Sequence, residues 1–165
     1  MVSGDDPALP QGDFANAFES AFERLDAKVA SACAMHPDWP NGAAAGIRAT
    51  LELASADPDL ARMLIVEPFR YGLYGAMRYR HAAGHFAAML MTGRDQVDLP
   101  VDLPAITEEG MIGAIAEIVG FHLRAGTSAR LPELAPQLIE LVLTPYIGVA
   151  GAKGLTAPSG DEPGS

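Results

Sequence analysis

With 165 residues, 49 % of them hydrophobic and 19 % charged, the chain is long enough to enclose one core, too short for two comfortable domains and too apolar to be disordered throughout. Its formal net charge of −10 is the wrong sign for neutralising phosphates, so direct nucleic acid contact by this chain is not expected. The lone cysteine, Cys33, excludes an internal disulfide and any multi-cysteine zinc site, and fits a reducing cytoplasm.

Residues 1–12 and 151–165 are rich in Gly, Pro, Ser and Asp and read as frayed tails flanking one domain over 13–150. The amino terminus lacks the basic, apolar and small-residue order of a secretory signal. Charge, Pro and Gly break the apolar runs short of the ~20 residues that cross a bilayer, so no membrane association is expected. Between the tails the pattern is helical, with scarcely any alternating β-branched segment.

The first helix is expected over about Phe14 to Met35, capped by Asp13, with Phe14, Phe18, Phe22, Leu25 and Val29 on one face. Asp38 and Pro40 start a second, carrying Ile47, Leu51 and Ala54, and Asp57 with Pro58 stops it and starts a short third with Leu60, Met63 and Leu64. Pro68 opens the next, which presents Tyr71, Tyr74, Met77, His81, Phe86 and Met89 and closes at Thr92–Asp95. The tandem Val97-Asp98-Leu99-Pro100 and Val101-Asp102-Leu103-Pro104 reads as an extended connector. Thr107 is a candidate cap for the fifth helix, with Ile106 placed to staple against Met111.

That fifth helix is apolar almost all round, through Ile112, Ile115, Ile118, Val119, Phe121 and Leu123. The last, which begins after Pro132, has Leu134, Leu138, Leu141 and Pro145 on one stripe and Leu131, Ala135, Ile139, Val142 and Leu143 widening it. So much apolar surface on two consecutive helices exceeds what one small domain needs. A two-fold homodimer is therefore expected, through Ile112, Gly113, Ala116, Val119, Gly120, Leu123, Leu134, Leu138, Leu141, Val142 and Pro145. Further wrapping by the same chain is the alternative.

The order Trp39, Leu51, Asp57-Pro58, Leu60-Ala61-Arg62, Val66-Glu67, Gly113-Ala114-Ile115, Leu131-Pro132-Glu133-Leu134-Ala135-Pro136 and Leu143-Thr144-Pro145-Tyr146-Ile147-Gly148 resembles the carboxy-terminal effector-binding and dimerisation domain of TetR-family transcriptional regulators. The resemblance spans about Phe14 to Ala152. It implies an all-α, orthogonal or antiparallel bundle of about six helices that dimerises through the last two. It also implies a ligand cavity in each subunit, walled by the first, fourth and penultimate helices. The family's amino-terminal helix-turn-helix has no counterpart here, since only thirteen residues precede the first helix; Tyr79-Arg80-His81 with Phe86 only faintly resembles a recognition helix.

Independently of the family, Phe18, Phe22, Leu51, Met63, Tyr71, Tyr74, Met77, Met89 and Met111 can line a site for a lipophilic or aromatic molecule, or simply fill the core. His81 and His122 are polar candidates for the same site, and His122 can equally be satisfied within the protein. Arg70, Arg78 and Arg80 can attract an anionic group on a ligand or form a solvated face. His81 and His85 lie one turn apart but lack a third metal ligand, and no phosphate loop, nucleophile elbow or Glu-x-x-His pair points to catalysis or a cofactor. The expectation is a ligand-sensing domain of a TetR-like repressor, with no enzymatic activity. The alternative is an interaction protein that sequesters a full-length relative as a heterodimer.

Overall fold

The computed structural model describes residues 8–156, and the secondary structure among them is all-helical. There are six α-helices: α1 (Gln11–Ala34), α2 (Trp39–Ala56), α3 (Pro58–Ile65), α4 (Gly72–Met91), α5 (Thr107–Arg124) and α6 (Ala135–Gly154). Three 3-10 segments, Glu67–Tyr71, Thr92–Asp95 and Ser128–Leu134, lead into α4, out of α4 and into α6. The all-α bundle anticipated from the pattern is the fold that forms.

Two of the anticipated boundaries are made by side-chain caps. Asp38 Oδ1 accepts the Asn41 amide at 3.0 Å at the head of α2, and Asp57 Oδ1 accepts the Leu60 amide at 3.0 Å at the head of α3. These backbone bonds hold both carboxyls below their ordinary range, and Arg24 adds to the effect at Asp57 from 2.9 Å. Asp57→Ala is expected to lower stability by about 1 kcal/mol, read as a lower urea midpoint at unchanged slope. An unchanged midpoint would show that the Asp57 bond only replaces one to water.

Other boundaries differ from the expectation. Helix α1 starts at Gln11 because the Pro10 carbonyl accepts the Phe14 amide at 2.9 Å; Asp13 is inside the first turn and caps nothing. At α5, Thr107 is the first helical residue and makes no cap bond, and Ile106 is 70 % exposed, so it cannot staple against the buried Met111. A buried carboxylate at Glu108 fixes that entry instead. At the far end α6 runs to Gly154, Ala152 is fully buried, and Arg48 Nη2 donates to the Leu155 carbonyl at 2.6 Å, so the folded region passes the expected limit of 150. Of the expected tails, residues 1–7 and 157–165 lie outside the described residues.

The apolar side chains form two cores. The larger joins α2, α5 and α6 through Leu51, Leu123, Leu131, Ile139, Val142 and Leu143, each effectively sealed from water. The smaller joins the first half of α1 to α3 and the start of α4: Phe14 stacks on Tyr71 at 3.9 Å, and Phe18, Leu60 and Leu64 close around them. Each such side chain contributes about 1.5–3 kcal/mol on burial.

This packing corrects the reading of the last two helices. Val119, Leu123, Leu138 and Val142 are 0–3 % exposed and Gly120 is enclosed, so these five anticipated interface residues belong to the subunit's own core. Helix α2 and the 3-10 segment Ser128–Leu134 supply the cover that the sequence pattern left unassigned. What stays outward is a narrower apolar set: Phe121 (60 % exposed) on α5, and Leu141 (50 %) and Val149 (58 %) on α6. Gly113 faces open space, and Leu134 and Pro145 are half-buried.

By length and composition, Ser128–Gly154 is apolar enough to cross a membrane. It is not one straight helix: it opens in 3-10 form, and Gly148 breaks it with φ 74°. The unbroken α-helical part, residues 135–147, is about 20 Å long, against about 30 Å of hydrocarbon.

Candidate functional site

A cavity of about 480 Å³ lies between the second half of α1 and helices α2, α3, α4 and α5, a size in the range of small-molecule sites. It exists because the walls carry small side chains where a filled core would carry large ones. Ala43 and Ala54 on α2, Ala61 on α3, Ala82 and Ala83 on α4 and Ala116 on α5 all face it. Phe22, Leu25, Val29, Leu53, Phe86 and Ile115 are among the larger apolar groups that line it as well. Helices α1 and α2 cross closely because a Cβ on Gly46 would come within 3.1 Å of Cys33 Sγ and 3.3 Å of Val29.

The wall is almost wholly apolar and contains no Lys or Arg. Cys33 lines it, but burial raises the thiol pKa, so the sulfur stays protonated and is not an activated nucleophile. Thr50 donates its hydroxyl to the Gly46 carbonyl (2.9 Å) and Thr92 to that of Met89 (2.7 Å). Asp38 is the single acidic lining residue, and its carboxylate is engaged by Asn41. Trp39 forms one end, its ring lying so close to Gly93 that a Cβ there would sit 2.3 Å from the indole.

Of the ligand-site candidates chosen from the sequence, Phe22 and Met89 line this cavity. Phe18 is buried in the smaller core, where Met63, Tyr71 and Tyr74 also pack, while Leu51 and Met111 are buried in the larger one. His81 is exposed and Met77 is 64 % exposed, on the outward face of α4. His122 Nδ1 pairs with Thr127 Oγ1 at 2.8 Å, its polarity met within the chain. These nine lie away from the cavity: helical spacing marks an apolar face without saying whether the opposing helix fills it or leaves a void. Two residues assigned to the dimer, Ile112 and Ala116, together with Val119, are cavity wall.

The arginines also lie elsewhere. Arg78 reaches Glu19 at 3.9 Å and lies 5.0 Å over the Tyr74 ring, Arg70 pairs with Glu67, and Arg80 is exposed; none lines the cavity. His85 bonds Asp26 at 2.7 Å. Among the described residues no group of three or more His, Cys, Asp or Glu is placed to hold a metal ion.

Sequence reasoning missed the polar cluster beneath the Trp39 end. The Glu108 side chain is fully covered, and Arg94 reaches it with two charge-assisted bonds of 2.7 and 2.8 Å while donating to the Leu103 and Pro104 carbonyls at 2.8 and 2.7 Å. Tyr146 donates its hydroxyl to Glu108 at 2.6 Å, and its ring meets that of Trp39 at 4.7 Å. Arg94, then Tyr146, hold the Glu108 carboxyl below its ordinary range, while burial and the carboxylate raise that of Tyr146. Every member is satisfied, so the cluster ties the connector, α5 and α6 together and offers no free group for catalysis.

Comparison with family models, curated proteins and solved structures finds no match to this chain.

Proposed function

We propose that this chain is the small-molecule-sensing and dimerisation domain of a TetR-like transcriptional regulator, with DNA read by a separate unit. The observation that carries the reading is the apolar cavity between five helices, whose walls carry small side chains although the chain has ample large ones. The exposed Phe121, Leu141 and Val149 on α5 and α6 support pairing of two copies, on a narrower surface than the sequence pattern implied. Occupancy acts by differential affinity for two arrangements of the helices, without covalent chemistry.

Native mass spectrometry of protein purified without added ligand tests both parts. The expected spectrum is a dimer, with apolar small molecules retained or taken up on titration. Leu141→Glu is expected to shift the population to monomer while leaving the helical circular dichroism unchanged. A wild-type protein that stays monomeric at high concentration overturns the pairing, and one that takes up no lipophile overturns the sensor.

A further inference from the structure

This inference rests on reading the cavity as a ligand site, and it specifies what the site accepts. Apart from Thr50, whose hydroxyl is bonded to the Gly46 carbonyl, and Asp38, bonded to Asn41, the polar lining groups fall in two places. His36, Thr92 and Gln96 are solvent-exposed at the Trp39 end, whereas Tyr79 of α4 is half-buried where the cavity adjoins a smaller pocket that shares Ile65, Tyr79 and Ala116. The Tyr79 ring lies 5.2 Å from that of Phe69, and its hydroxyl, which is not sealed from solvent, makes no side-chain or backbone hydrogen bond among the described residues. Burial, then the charge of Glu117, keep the phenol above its ordinary range, so at neutral pH it is a hydrogen-bond donor.

A charged guest finds no counter-ion here. An anion would meet a wall without Lys or Arg in a chain of net charge −10, and a cation would meet one carboxylate already bonded to Asn41; in the adjoining pocket Arg124 and Glu117 are already paired with each other at 3.0 Å. Removing an unpaired charge from water is far more costly than burying apolar surface is favourable. We infer that the cavity selects uncharged lipophiles bearing one hydrogen-bond acceptor, that Tyr79 donates to this acceptor, and that anionic and cationic lipophiles of the same shape are rejected.

Trp39 is the sole tryptophan and lies in the cavity wall, so its fluorescence reports occupancy in the whole protein. Decanol, decanoate and decylamine differ mainly in head-group charge. Decanol is expected to bind and shift the Trp39 emission, with the two charged probes weaker by at least about tenfold. Tyr79→Phe is expected to weaken decanol by about three- to tenfold and to leave toluene, which lacks the acceptor, unchanged. Either charged probe binding as tightly as decanol overturns the selectivity while keeping the cavity as a ligand site. Equal loss of decanol and toluene, or no loss of either, in Tyr79→Phe overturns the role of the hydroxyl. Silence of Trp39 and of calorimetry towards every probe overturns the ligand-site reading itself.

Discussion

Glu108→Ala is expected to cost the protein about 3 kcal/mol of folding stability, the low end for breaking a buried ion pair. Arg94 would lose both carboxylate bonds, and the Tyr146 hydroxyl would be left buried without its acceptor. The low end applies because Arg94 is 22 % exposed and can recover some hydration. The connector should loosen as well, since the same guanidinium holds the Leu103 and Pro104 carbonyls.

The wild-type protein should show a matching pH dependence. Arg94 beside it holds the Glu108 carboxyl below the ordinary carboxylate range, so its stabilisation is complete above that range and is lost as pH falls through the lower folded value. Urea titrations at pH 7 and at decreasing pH should therefore bring wild type and Glu108→Ala together in acid. A difference under about 1 kcal/mol at pH 7 would instead equate the pair with an ordinary surface ion pair.

Gly75→Ala is expected to be at least as damaging. A Cβ at position 75 would lie 1.8 Å from the Pro68 carbonyl oxygen and 2.6 Å from its carbon, so backbone must yield where α4 crosses the 3-10 segment Glu67–Tyr71. Overpacking costs about 1–3 kcal/mol when side chains can adjust. With only main chain to move, and with Tyr71 and Tyr74 of the smaller core attached to it, about 3 kcal/mol or more is expected, a fall in Tm of roughly 10 °C. Gly84→Ala on the same helix is the control: nothing lies within 4 Å of its Cβ, and helix propensity favours Ala by about 0.5–1 kcal/mol. Equal melting of the two variants would refute the close crossing at Gly75.

Helical character was legible because helix starts and stops are local chemistry: Asp38 with Pro40, and Asp57 with Pro58, act within one turn of themselves. Coverage is not local. The stripe on α6 was read as surplus because nothing in its own residues reveals that α2 and the segment Ser128–Leu134 lie against it. The Glu108 clip was hidden for a similar reason: Tyr146 lies 38 positions away, and a lone first-turn glutamate normally faces water.

The cavity escapes a reading that attends to large residues. Phe18, Tyr71, Tyr74 and Met111 are packed because they are large, whereas a void is signalled by what is missing. The alanines and glycines of residues 41–49 and 81–88, on α2 and α4, were the available sign. Tyr79 could have been found beside them, one turn before Ala82 and Ala83.

Helix α1 divides its length between two very different surroundings. Phe14 and Phe18 are seated in solid packing, while Phe22, Leu25, Val29 and Cys33 border empty space. At 24 residues it is a strut about 36 Å long, so a tilt of about 5° displaces one end by roughly 3 Å relative to the other. The end at Cys33 is held against α2, where a Cβ on Gly46 would come within 3.1 Å of Cys33 Sγ, so α2 would have to tilt with it.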